Sequence, residues 1–233
     1  MSTPNFQLPT PNPQLPIIAI DGPAGAGKST VTKLVAARLG LLFLDSGAMY
    51  RAITWLVLEA QLALDDEPNI ALLVDRAKIV LTKDKVMVND IDVTEAIRTL
   101  AVTSKVSAIA ALGVVRVALV KQQQEIGKQG GIVAEGRDMC TNVFPQAQVK
   151  IFLTASVAER AKRRQQDLRD RGQGEVSLLE LEQSIAERDK IDSTREISPL
   201  QKAVDAVEII TDRLSIEEVV DAIVVMYQQV VTK

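Results

Sequence analysis

An α/β fold is predicted, with a mostly parallel sheet covered by helices on both faces. Three observations predict it. Short, fully apolar runs alternate with stretches of helical period along most of the 233 residues. The first of these runs leads through a glycine-rich loop straight into a helix, the order of a βα unit. Between about Leu64 and Arg98 the texture changes to short strands with tight polar turns, which marks an insert within that plan.

Residues 1–16 (MSTPNFQLPTPNPQLP) hold five of the nine prolines and no charge, and read as a flexible or extended arm. Removing residues 1–15 is therefore expected to leave stability unchanged. Ile17-Ile18-Ala19-Ile20-Asp21 suits a buried strand. A helix follows from about Ser29 to Leu39, with Val31, Leu34, Val35 and Leu39 on one face and Gly40 as its stop. Leu41 to Leu44 form a second strand, and Met49, Ala52, Ile53, Leu56 and Val57 repeat at helical spacing. In the insert, Lys78–Thr82 and Val86–Val88 flank a Lys83-Asp84-Lys85 turn, and Ile91–Val93 gives a third short strand. Helices resume from Thr94 to Gly127, broken near Gly113. Ile132–Ala134 and Lys150–Leu153 are further strands. Residues 156–189 read as a basic helix, a turn at Gly172-Gln173-Gly174 and a second helix. Val207–Thr211 is a last strand, and Ser215-Ile216-Glu217-Glu218 opens a final helix with a capping box.

Composition excludes several chemistries. There is no histidine, so no Ser-His-Asp triad, Cys-His pair or His-ligated metal is available. Cys140 is the only cysteine, which removes internal disulfides and Cys-rich zinc sites and suits a reducing cytoplasm. A net charge of −3 argues against a nucleic-acid coat. No apolar run is long enough for a membrane helix, and no secretion signal is visible.

Gly22, Pro23, Ala24, Gly25, Ala26, Gly27, Lys28 and Ser29, with Thr30 next, match G-x-x-x-x-G-K-[ST] between a strand and a helix. The glycines let backbone N–H groups face phosphate oxygens, and the helix N-terminus adds positive charge. Lys28 can reach the β- and γ-phosphates, and the Ser29 hydroxyl can ligate Mg²⁺. A nucleoside triphosphate is thus expected. Without an Asn-Lys-x-Asp guanine reader or a motor's extra modules, a small-molecule kinase is favoured over a switch or a motor. A kinase also needs an acceptor site and arginines. Ligands of open α/β sheets bind beyond the carboxyl ends of strands. Ser46 and Arg51 follow the second strand, where they could bind an acceptor, although Ser46 could equally cap a helix. Gly136-Arg137-Asp138 follows another strand, where Arg137 and Asp138 could bind ligand or simply pair with each other. Arg160, Arg163, Arg164, Arg169 and Arg171 lie on one helix, and Arg188, Asp189, Asp192 and Arg195 on or just past the next. Such charges are commonly solvated faces, but two arginine-bearing helices joined by a glycine turn also describe a lid.

Taken together, Ile20–Thr30, Leu44–Arg51 (LDSGAMYR), Glu135–Met139 (EGRDM), Val143-Phe144-Pro145, Lys150–Leu153 and Glu187-Arg188-Asp189 through Asp192 and Arg195 give a family resemblance. In order and content the chain resembles the bacterial cytidylate kinases of the nucleoside monophosphate kinase group, from about residue 17 to 230. The resemblance implies a three-layer P-loop NTPase fold with a central parallel sheet, a monophosphate-binding insert with a small antiparallel sheet, and a helical lid. It divides the chain into core at 17–63, insert at 64–98, core at 99–155, lid at 156–189 and core at 190–233. It implies transfer of phosphate from ATP, with Mg²⁺, to CMP or dCMP. Ser46, Arg116 and Asp138 would read the cytosine and Asp192 the sugar. Arg51, Arg137 and Arg188 would hold the acceptor phosphate, and Arg195 the transferred group. Arg160 and Arg164 would cover ATP from the lid. Lys28, Arg137, Arg188 and Arg195 would form the catalytic set. A cytoplasmic monomer without nucleic-acid or membrane partners is expected. Two departures stand out: Cys140 replaces a usual glycine, and the Pro-rich arm is longer than the family needs; Gly113 also stands where proline is frequent, at a helix junction. The alternatives are a P-loop kinase of another nucleotide or small metabolite, and a nucleotide-binding regulator without turnover.

Overall fold

The computed structural model describes residue 12 and residues 15–82, 84–170, 172 and 174–232. Five parallel strands form the main sheet in the order β2-β6-β1-β7-β8: β1 Ile18–Asp21, β2 Leu42–Asp45, β6 Ile132–Gly136, β7 Val149–Thr154 and β8 Val207–Ile210. Period-two alternation decides which side chain meets which layer. Ile18, Ile20, Val133, Ile151 and Leu153 pack on α1 (Lys28–Leu39) and α8 (Ile216–Val231). Ala19, Leu44, Ile132 and Ala134 face the opposite layer, built from α2 (Ser46–Glu59), α3 (Glu67–Arg76), α4 (Leu100–Ala111) and α5 (Gly113–Gly127). This is the three-layer P-loop NTPase fold that the sequence predicts. A central strand between two others and two helical layers loses nearly all its contact with water, which is why β1 and β6 are apolar up to the carboxylates at their ends, Asp21 and Glu135.

The segment between β2 and β6 carries the antiparallel sheet β3-β4-β5 (Ile79–Leu81, Val86–Val88, Ile91–Asp92). Its inner face covers Ala48 and Ala52 of α2. Helix α3 was absent from the strand-only expectation for this segment. Its start is written in the sequence as Asp66, whose carboxylate caps Asn69 N–H, with a proline in the first turn. The predicted break near Gly113 falls one residue earlier, at Leu112, where the chain turns by 92° between α4 and α5. Thr94 does not begin a helix; a 3-10 turn at Ala96–Arg98 precedes α4. Among the described residues no single helix is long and apolar enough to cross a membrane.

Two antiparallel helices, α6 (Val157–Asp170) and α7 (Leu178–Thr194), lie over the carboxyl end of the sheet and share a small apolar seam of Ala161, Leu168 and Leu181. A capping box at Ser177 and Glu180 starts α7. Arg171 and Gln173 lie outside the described residues, as does nearly all of the predicted arm. The arm's end is docked, contrary to a wholly flexible reading: the Leu15 carbonyl accepts the Gly131 N–H at 3.1 Å, and the Leu15 side chain packs beside Leu41.

Candidate active site

The glycine-rich loop joins β1 to α1. A Cβ at Gly22 would lie 1.9 Å from the Leu153 carbonyl oxygen, so only glycine lets the chain turn there. Gly27, at φ +91°, leads into α1 with no side-chain cap, which leaves the first N–H groups of the helix directed out of its end. Lys28 Nζ donates to the carbonyls of Gly22 and Pro23 at 2.6 and 2.7 Å. Burial, and then the neighbouring Arg137 charge, pushes it well below the usual lysine range. The Ser29 hydroxyl lies against the carboxylate of Glu135, which burial and Asp45 push up to about 7. One Glu135 oxygen, Oε1, is buried without a partner.

From α6, Arg160 reaches over this loop. Its Nη1 donates to the Ala24 carbonyl at 3.1 Å, and its guanidinium is held by Asp189 of α7 at 3.0 and 2.5 Å. Arg163 stands beside Gly27 and donates to the Thr211 hydroxyl and carbonyl, both at 2.9 Å. Arg164 pairs with Asp167 on its own helix at 2.9 Å, while its charge is felt by Arg51.

The acceptor-side residues form a second group. Asp45, not Ser46, caps α2, accepting the Ala48 N–H at 2.8 Å. That frees the Ser46 hydroxyl, which donates to the Glu135 carbonyl at 2.6 Å in a buried setting. Arg137 and Asp138 do not pair with each other. Alternating side-chain direction at the end of β6 sends them to different partners. Arg137 Nε donates to Asp192 at 2.8 Å. Asp138 pairs with Arg116 of α5, both side chains being almost fully buried, and Arg195 Nη2 stands 3.7 Å from its other oxygen. Arg116 also lies over the face of Tyr50, 5.5 Å from the ring centre. Arg51 donates to Thr103 at 2.9 Å.

Lys28, Arg51, Arg137 and Arg188 crowd one another. The Arg137 charge depresses the other three, in each case second to burial or after Asp45, and Arg188 falls to about 10. Asp192 is pulled below the usual carboxylate range because Arg137, Arg188 and Arg195 outweigh its burial. Buried nitrogens of Arg116, Arg188 and Arg195 and the Tyr50 hydroxyl have no hydrogen-bond partner in the protein. Such a concentration of cations, with donors left over, is suited to binding polyanions. Glu135, Tyr50, Asp45 and Asp189 were given no role from sequence. Glu135 and Asp45 each carry a local signal, as a charged residue at the end of an otherwise apolar strand.

The Cys140 thiol points between two strands, donating to the Ala19 carbonyl at 3.3 Å with the Ile151 carbonyl at 3.7 Å, and burial pushes it up.

A family model described as Cytidylate kinase matches residues 18–229. The chain is 64% identical over 221 residues to the "Bifunctional pantoate ligase/cytidylate kinase" of Nostoc sp. (strain PCC 7120), covering 92% of this chain and 41% of that protein. It is 59% identical over 224 residues to the protein of the same description from Synechocystis sp. (strain PCC 6803), covering 94% and 44%. The chain thus spans less than half the length of these curated relatives. A solved gluconokinase from Sinorhizobium meliloti 1021 aligns over 97% of this chain and 95% of its own at 14% identity and a TM-score of 0.47, a likeness too slight to bear on function. With the family match running from the first strand into the last helix, across both groups of site residues, the chain belongs to the cytidylate kinase family.

Proposed function

We propose that the chain transfers the γ-phosphoryl group of ATP to the phosphate of CMP or dCMP, giving ADP and CDP or dCDP, in the cytoplasm and as a monomer. One observation carries this reading: Arg137 and Arg188 act on both Lys28 of the phosphate loop and Asp192, and Arg195 acts on Asp192 and lies beside the buried Arg116–Asp138 pair, so that loop and pair share one cluster of charges. The donor phosphates lie along Gly22–Thr30 beneath Arg160, and the acceptor phosphate among Arg51, Arg137 and Arg188. Ser46, Asp138 and Arg116 meet the cytosine, Asp192 the sugar, and Arg195 the transferred group. Residues 64–98 form the monophosphate-binding insert, and 156–189 the lid, which carries Arg160 and Arg164.

Ser29 and Glu135 offer oxygen donors only, and the unpartnered Glu135 Oε1 fits a hard cation such as Mg²⁺. Bound there with the nucleotide, the ion supplies charge neutralisation at the β- and γ-phosphates. The protein's own share is alignment and electrostatics. Lys28 and the three acceptor-side arginines counter the charge of two approaching phosphates. No general base is required, because the acceptor phosphate is already ionised. Closure of α6 and α7 would bring Arg160 and Arg164 inward and exclude water.

A coupled ADP-release assay across CMP, dCMP, UMP, AMP and GMP tests the reading, and highest activity with a non-cytidine acceptor would overturn it. Cytosine presents an amino donor where uracil presents a carbonyl acceptor, and a carboxylate accepts from the first and repels the second. Asp138→Ala should therefore lower kcat/KM for CMP far more than for UMP, by the ~1–3 kcal/mol of a lost buried hydrogen bond. An unchanged CMP/UMP ratio removes Asp138 from base reading.

A further inference from the structure

Asp21 closes β1 immediately before Gly22, yet its carboxylate does not serve the phosphate loop. It reaches across the sheet to a segment 118 residues away. Oδ1 accepts the Met139 N–H at 2.7 Å and Oδ2 the Cys140 N–H at 2.8 Å. Met139 and Cys140 open the single π-helical turn Met139–Val143 that follows Asp138. A helical turn leaves its first N–H groups without partners inside the turn. An aspartate just ahead of such a turn ordinarily folds its own carboxylate back onto them. Asp138 stands at that position but makes no capping bond. Its carboxylate goes instead to Arg116 and to the Asn142 side chain, the latter at 3.0 Å. The Cys140 N–H, one of the two donors such a cap would use, is already taken, and the Met139 N–H with it. The two carboxylates also feel each other's negative charge, which disfavours a return of Asp138 toward Asp21.

We propose that Asp21 is a positioning residue for acceptor selection: by satisfying the Met139 and Cys140 N–H groups from another strand, it keeps the Asp138 carboxylate from capping its own turn and leaves it aimed at Arg116 and the acceptor base. One residue, at the junction of the central strand and the phosphate loop, thereby sets the base reader relative to the phosphate donor. The inference rests on the base-reading role proposed for Asp138.

Asp21→Asn tests it, because the amide matches the carboxylate in size but turns an N–H group toward one of the two backbone donors. Asp138 then has an orphan N–H to cap. The CMP/UMP ratio of kcat/KM should fall about tenfold, the scale of one lost buried hydrogen bond. The KM for CMP should rise, while that for ATP should stay within about twofold. In the Asp138→Ala background, Asp21→Asn should change the ratio no further, since the two residues act through one step. Equal losses on CMP and UMP in Asp21→Asn, or independent losses in the double variant, would overturn the positioning role and leave Asp21 a purely structural cap. A second measurement is independent of how Asp21→Asn folds. In Asp138→Ala the Met139 and Cys140 amides should keep their slow hydrogen exchange, and fast exchange there would show that Asp138 holds them, overturning the proposal. If Asp138→Ala itself leaves the ratio unchanged, base reading fails and the inference falls with it. A collapse in Asp138→Ala without one in Asp21→Asn refutes positioning alone.

Discussion

At the scale of single residues, Asp21 shows how one buried carboxyl can oppose stability while serving the site. Burial raises it, the Cys140 and Met139 N–H groups lower it, and Asp138 raises it again, leaving it at about 6 against an ordinary 3.8. The folded state therefore holds the proton more tightly than the unfolded chain. Its ionisation costs stability in full above about pH 6, and the cost is relieved as pH falls toward 4. The whole difference corresponds to about 3 kcal/mol. Glu135, pushed up to about 7 by burial and Asp45, is present in wild type and in Asp21→Asn alike, so its titration is common to both proteins. Denaturant unfolding should show wild type gaining stability relative to Asp21→Asn between pH 7 and 4.5. A pH-independent difference would place the carboxyl pKa near its ordinary value.

At the scale of elements, the described end of the N-terminal segment behaves as part of the core. Leu15 packs among Leu41 and its neighbours, and its carbonyl holds Gly131. Leu15→Ala removes about half of a leucine's burial, on the order of 1 kcal/mol. In a chain of this size that lowers Tm by about 2–4 °C. Catalytic constants should stay unchanged, because the contact sits at the opposite end of β1 from the phosphate loop. An unaltered Tm would return Leu15 to a free arm. The same scale explains why the segment before β3 was misread. A ten-residue helix whose apolar stripe is only Ile70, Leu73 and Val74 is hard to see beside three short β-rich runs, although Asp66 and Pro68 mark its start.

At the scale of the whole molecule, the fold gathers like charges. Arg188 is driven down to about 10 by burial and by Arg137. Its charged form is therefore less favourable in the folded protein than in the unfolded one, and the excess is about 3 kcal/mol. Arg188→Gln should raise the Tm of the ligand-free protein, or leave it level, while cutting kcat/KM for CMP at least tenfold, the usual exchange of stability for function at a strained site. A fall in both together would show that Arg188 serves mainly as a structural ion pair.

The sequence by itself determined the architecture and the donor half of the site. Alternating apolar runs force a two-faced parallel sheet, and a phosphate loop is a local object whose eight residues carry their own geometry. The candidate acceptor residues were legible too, through their motifs, but not their partners. Sequence left open whether Ser46 caps α2 and whether Arg137 pairs with Asp138. The structure assigns the cap to Asp45, sends Arg137 to Asp192, and sends Asp138 to Arg116. Those pairings join α5, β6 and α7, elements whose approach depends on how helices pack over the sheet and not on local spacing. For the same reason only the tertiary structure could show Asp21 capping a turn 118 residues away, since nothing near it in the chain records where β6 ends beside β1.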